Sequence, residues 1–249
     1  MKKRSNFLRR VLDWVIKIIA TLSAFLGIMI LFWIIFEVAR RGAEAMNFNF
    51  FTKLPTPPGV PGGGVANAII GSTAMVVLAG IISVPVGLLA GVYLSEFGKN
   101  TRFGNLIKFS TNVMMGIPSI ILGLFIYTLV VVPTKHFSGY AGALALSLIM
   151  IPIIARTSED MLSLVPNSLR ESALALGAPR WKVILQILFR SSKAGLITGV
   201  ILAIARVSGE TAPLLFTALN SPYWVRSLNQ PTANLTMTIF NYAMSPYRD

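Results

Sequence analysis

Five long apolar stretches frame this 249-residue chain, at residues 18–36, 68–94, 113–132, 141–155 and 194–219. Polar, basic or Pro- and Gly-rich segments separate them. A helix needs about 20 mostly apolar residues to cross a hydrocarbon core. The pattern therefore predicts an all-α, polytopic membrane protein with five spans inside a transmembrane domain at 18–219. The first stretch follows Lys2, Lys3, Arg4, Arg9 and Arg10, and Ala43-Glu44-Ala45 beyond it resembles a small-residue cleavage site. Its apolar run exceeds the roughly 7–15 residues of a signal peptide, so it reads as a retained first span behind an N-terminal segment, 1–17.

Breakers punctuate the pattern. The stretch Pro55-Thr56-Pro57-Pro58-Gly59-Val60-Pro61, followed by Gly62, Gly63 and Gly64, cannot sustain a helix and reads as an extramembrane loop. Pro85 and Pro118 fall inside apolar stretches and predict kinks or local breaks. Gly80, Gly87 and Gly91, Gly116 and Gly123, and the series Gly195, Gly199 and Ala203 offer surfaces on which helix backbones approach closely. Residues 220–249 form a polar tail in which 232–244 is suited to a short amphipathic or re-entrant helix. The tail is expected to be external and to lead toward a sixth span beyond Asp249.

Composition sharpens the class. Charged residues are only 12% and hydrophobic ones 54%, against about 25% charged in soluble domains. The net charge of +13 would suit nucleic acid, but the basic residues bracket apolar stretches and do not stripe one face. That distribution is the positive-inside signature of a membrane protein. With the N-terminus inside, the inner side collects the five N-terminal basic residues, then Lys99, Arg102 and Lys108, then the basic residues of 156–193. The outer side holds Arg40, Arg41, Lys53, Lys135, Arg226 and Arg248. Cysteine is absent and His136 is the single histidine, which excludes disulfides and leaves no metal site. No G-x-x-x-x-G-K-[ST] phosphate loop occurs, so the chain does not hydrolyse ATP by that route.

The inner segment 156–193 is longer than a turn requires. Pro166 with Asn167 or Ser168 supplies a helix start, Leu169, Ala173 and Leu176 recur at helical spacing, and Gly177 and Pro179 supply a stop. A second short helix over 180–189 leads into the fifth span. These are either interfacial helices lying on the membrane or a knob that docks into another subunit.

Glu171-Ser172-Ala173, three residues, Gly177, nine residues and then Ile187 resembles the coupling (EAA) loop of bacterial ABC importer permeases, whose pattern is Glu-Ala-Ala, three residues, Gly, nine residues and Ile-x-Leu-Pro. Ser172 replaces the second Ala, and Phe189 and Arg190 stand where Leu-Pro would be. Gly116-Ile117-Pro118-Ser119, within 115–125, resembles the third span of phosphate permeases, and 203–215 is similar to the fifth span of PstA-type subunits. The likeness runs from the first span to the end of the chain and implies a type I importer permease. It implies docking to an ATPase through Arg170, Glu171, Ser172, Ala173, Gly177 and Ile187. The partners it implies are a second, PstC-like permease subunit, a PstB-like ATPase homodimer that binds ATP and Mg, and a PstS-like periplasmic phosphate-binding protein. No cofactor is implied in this chain, and its location would be the bacterial inner membrane.

Arg206 and Glu210 are charges inside an apolar stretch, where each costs roughly 2.5–3.5 kcal/mol on insertion scales. Their spacing of four predicts one helical face shared with Gly199 and Ala203. They are either a self-neutralising ion pair or, with Ser208 and Thr211, a lining for the substrate path. In the second reading the Arg fork suits phosphate oxygens, and the Glu accepts from the hydroxyl of a protonated phosphate, which sulfate lacks. Glu96 reads as an interfacial cap, and Glu159 and Asp160 as solvated or docking charges. The expected function is import of inorganic phosphate by alternating access, the alternatives being another oxyanion such as sulfate or molybdate, or a membrane-embedded enzyme.

Overall fold

The computed structural model describes residues 6–43, 46–57, 60 and 62–245. Lys2, Lys3 and Arg4, most of the cleavage-like Ala43-Glu44-Ala45, part of the Pro-rich loop and Arg248 lie outside them. Every element among the described residues is helical, and the chain divides into two units, 1–51 and 52–249.

The first unit is dominated by α1, Asn6–Gly42, a 37-residue helix. It is apolar all round and exposed along nearly its whole length within the unit, as suits a helix whose surroundings are lipid or another membrane helix. Arg40 and Arg41, which the charge distribution assigns to the sparser side, both pair with Glu37, at 3.2 and 2.6 Å. The short helix α2, Phe48–Thr52, follows.

The second unit is a bundle centred on α3, Ala66–Val92, and α7, Gly139–Ser163. On α3 the buried residues Gly71, Met75, Ala79, Ser83, Gly87 and Gly91 recur at every fourth position. Such a row runs nearly straight along one helix face, and its small members let the two backbones come close. A Cβ on Gly87 would sit 2.7 Å from the Cβ of Ile154, and one on Gly91 would overlap Ser158. Met75, Leu146, Met150 and Ile154 fill the core between these contacts.

Helix starts are capped by side chains, among them Asn47, Thr101, Ser138 and Asn234, which accept from the amides of Phe50, Gly104, Ala141 and Met237. Among the described residues no buried side-chain nitrogen or oxygen lacks a partner, as an interior without water demands.

The prolines do not act alike. The helices continue through Pro85 and Pro152, whereas the chain breaks at Pro118. There α4, Arg102–Gly116, ends, Ile117 adopts ψ 131°, and α5, Ser119–Ile126, starts at an angle. Helical turns carry α5 on through Tyr127–Val131 into α6, Val132–Thr134, and the two halves meet at 105°. Steric conflict between a proline ring and the preceding residue disfavours helix at that residue, and Gly116 gives α4 no strong reason to continue. The stretch expected as a span at 113–132, with a kink or break at Pro118, falls within this bent pair. Among the described residues four helices, Leu8–Gly42, Ala66–Phe97, Gly139–Ser163 and Arg180–Ser208, are long and apolar enough to cross a membrane, and a fifth span follows if the bent pair counts as one.

The segment after 219 folds back onto the bundle. Asn67, buried on α3, donates to the carbonyls of Ser221 and Tyr223 at 2.9 and 3.4 Å. Asn234 donates to Leu219 O at 3.1 Å while capping α12, Leu235–Met244. Backbone bonds from Ser138, Gly139 and Tyr140 to Thr217, Gln230 and Leu228 fasten the same stretch to the start of α7.

Candidate functional site

The last membrane helix begins as a short turn, α9, Arg180–Lys182, passes through a wider turn at Val183–Leu188, and continues as α10, Phe189–Ser208. Leu196, Gly199, Ala203 and Val207 form its buried face. Gly199 packs on Thr157 of α7, where an added Cβ would meet Cγ2 at 2.5 Å, and Gly195 packs on Met161.

Arg206 lies on the flank of that face. Its side chain lines a pocket of about 70 Å³ with Met114, Met115, Ile117 and Ser119 from the break between α4 and α5, Leu122 from α5, and Ile149 and Ile153 from α7. The two stretches singled out in sequence, 115–125 and 203–215, are therefore brought together at the bend. Arg206 is exposed, and no carboxylate lies within 4.0 Å of it among the described residues.

The helical pairing expected of Arg206 and Glu210 is not what the chain adopts. Helix α10 stops at Ser208, with Gly209 at its C-cap, and Glu210 sits in the connection to α11, Ala212–Thr217. The cause is local: Gly209 is a poor helix former, and Pro213 four residues on cannot donate to a continuing ladder. Glu210 is half-buried, and its main-chain carbonyl accepts from Thr236 Oγ1 at 2.9 Å. Ser208 donates its hydroxyl to Ile204 O at 2.8 Å, and Thr211 precedes α11 without capping it through its side chain. The residues expected along a substrate path thus flank a helix break and do not share one helix face. Gly123 of α5 packs on Pro213 at this break, where an added Cβ would meet Pro213 Cα at 2.5 Å.

The coupling-type segment is a helix and a tight turn. Helix α8, Asn167–Ala175, starts directly after Pro166, and Gly177 turns the chain at φ 78°. That left-handed value is easy for glycine and costly for other residues. Ala173 is buried in a small apolar cluster with Leu162, Val165, Val183, Leu188 and Leu196, and Ile187 packs partly against it. Glu171, Ser172 and Gly177 face outward, beside a Leu176 that is 88% exposed. Arg170 does not share that outward face: it is directed inward and pairs with Glu96 at 2.9 Å. Glu96, expected as a cap, lies in a widened turn, Tyr93–Phe97, that extends α3.

Glu159 is likewise no solvated charge. It is 6% exposed and pairs with Lys108 of α4 at 2.6 Å and with Arg156 at 3.3 Å. Asp160 stays outside, 3.6 Å from Arg156. A lysine six residues into α4 carries no sequence signal of this contact, because a break expected at Pro118 does not say which helix α4 folds against.

Comparison with known proteins agrees with this architecture. Residues 83–245 match the family model described as binding-protein-dependent transport system inner membrane component. A phosphate transport system permease protein PstA from Yersinia pestis is 43% identical over 248 residues, covering 100% of this chain and 84% of the relative. The protein of the same name from Haemophilus influenzae is 47% identical over 228 residues, covering 92% and 80%. Among solved structures, a chain of the MetNI methionine ABC transporter in inward-facing conformations superposes with a TM-score of 0.59 at 21% identity, over 72% of this chain and 80% of that one. At that identity the likeness is one of fold alone. Carried by the family match over the bundle and the relatives along its whole length, this chain belongs to the binding-protein-dependent transport system inner membrane components, in their PstA branch.

Proposed function

We propose that this chain is one permease half of an ATP-driven importer of inorganic phosphate, working by alternating access. The observation that carries the cargo assignment is Arg206, a guanidinium set at a double helix break without a carboxylate in reach. An Arg in a low-dielectric setting holds a tetrahedral oxyanion through paired donors, and PstA relatives that align over the whole chain are named for phosphate transport. Ser208, Glu210 and Thr211 flank the same break and supply further hydrogen-bonding groups to the path. Glu210, freed from the helix ladder, serves as the acceptor for a protonated phosphate and separates it from sulfate.

The energy comes from elsewhere. The outward face of α8 with Glu171, Ser172, Gly177 and Leu176 docks a PstB-like ATPase dimer that binds ATP and Mg. A PstC-like permease completes the path, and a PstS-like binding protein delivers phosphate. The N-terminus and α8 lie on the cytoplasmic side of the inner membrane, as the basic residues suggest.

The test is uptake of labelled phosphate by vesicles holding the assembled transporter. A tenfold excess of sulfate is expected to leave uptake unchanged, and Arg206→Gln to lower it by about tenfold or more, the worth of roughly one charge-assisted hydrogen bond. Full competition by sulfate, or wild-type uptake by the variant, would reject the cargo assignment.

A further inference from the structure

Arg170 sits one residue before the outward-facing Glu171, yet its side chain is turned into the bundle and is only 11% exposed. Its Nε and Nη2 approach the Glu96 carboxylate, Nε at 3.1 and 3.3 Å from the two oxygens and Nη2 at 2.9 Å from Oε1. Nη2 also donates to Leu162 O at 2.7 Å. Nη1 donates to Val165 O and, at 3.1 Å, to Asn167 Oδ1. All three nitrogens of the fork are spent. Ser95 Oγ adds a donor to Glu96 Oε1 at 3.2 Å. The two charged side chains are only 11% and 15% exposed, so this is a semi-buried pair, where removing one partner strands the other.

The pair joins elements that sequence keeps far apart. Arg170 is on α8, and Glu96 is in the widened turn at the end of α3. The carbonyls of Leu162 and Val165 bind the same guanidinium to the end of α7 and to the link leading into α8. The other attachment of α8 is the apolar cluster around Ala173, which rests on Val183 and Leu188 of a second widened turn. Widened helical turns are local irregularities that recur at functional positions. Helix α8 is thus held by a charged tie to α3 and by an apolar patch shared with the end of α7 and the root of α10, against which Leu88 and Val92 of α3 also pack.

We propose that Arg170 and Glu96 form the tie that carries displacement of α8 into α3, making both of them positioning residues for coupling and not ATPase contacts. This rests on the reading of α8 as the docking helix. Apolar contacts slide, whereas a forked ion pair fixes distance and direction. With the tie intact, α3 follows α8 when the ATPases close. With the tie cut, α8 moves on its apolar seat and the bundle lags behind.

The test is a double-substitution cycle in the full transporter, with its ATPase and binding protein, reconstituted in vesicles. Phosphate uptake and ATP hydrolysis are measured together for wild type, Glu96→Gln, Arg170→Gln, the double variant and Arg170→Lys. The expected result is that each single Gln variant keeps ATP hydrolysis within about twofold while phosphate moved per ATP falls about fivefold or more, the lower end of ordinary coupling effects. The double variant is expected to be no worse than the poorer single, because both remove one interaction. Arg170→Lys, which keeps charge but not the fork, is expected to fall between. Losses that multiply in the double variant, an unchanged ratio of uptake to hydrolysis, or failure of the variants to assemble with the ATPase would each overturn the proposal. A wild-type complex that hydrolyses ATP without moving phosphate would instead reject the transport reading on which it stands.

Discussion

Gly91 shows how narrowly single positions are set in this bundle. A Cβ there would overlap Ser158 of α7 and approach the Ala155 carbonyl at 2.9 Å, while one at Gly80 on the same helix would meet nothing within 4 Å. Gly91→Ala is therefore expected to destabilise the protein by about 1–3 kcal/mol through overpacking. Gly80→Ala is expected to be neutral or to gain up to about 1 kcal/mol from helix propensity. Thermal unfolding of the purified transporter checks both, and equal effects at the two positions would contradict the packing assigned to α3 and α7. Sequence offered these glycines as one undifferentiated packing signal, because spacing alone does not say which neighbour stands opposite. The charges behaved similarly. Arg206 was found by its cost in an apolar stretch, but its relation to Glu210 was read from helical spacing that Gly209 and Pro213 interrupt. Those two breakers were visible in the sequence, and together they outweighed the periodicity.

At the scale of elements, composition reports where apolar chain lies and not where it bends. The stretch 113–132 has the length of a span, yet it begins in the last turns of α4 and crosses the break at Ile117 and Pro118. Pro85 and Pro152 carry the same sequence signal without that outcome, since α3 and α7 are locked along their lengths by each other. What distinguishes Pro118 is the glycine two residues before it. The bend also creates the site, because it sets Ile117 and Ser119 against Arg206. A proline inside a helix costs about 3 kcal/mol, so Pro118→Ala removes a comparable penalty from the straight helix. Phosphate uptake is expected to fall by about tenfold or more as the bend relaxes, while Pro85→Ala changes it less than threefold. Wild-type uptake by Pro118→Ala would separate the bend from the transport path. Helix α8 is the most legible element, because Pro166, Gly177 and Pro179 act locally to start and stop it. Its tie to Glu96 was not legible, since nothing in sequence links positions 74 residues apart.

For the molecule as a whole, the proposed function sets path and power source on different chains, with the outward face of α8 as their meeting point. The bundle places the two regions at different parts of one frame: the Arg206 pocket where α4, α5, α7 and α10 meet, and α8 beyond the ends of α3 and α7. In the proposed alternating access, motion at α8 would reach the path through those shared helices. The most direct measurement is ATP-driven accumulation of labelled phosphate in vesicles containing the two permease subunits and the binding protein, with and without the ATPase. Accumulation above the external concentration is expected only when ATPase and ATP are both present. Accumulation without the ATPase, or none with every component in place, would contradict the account.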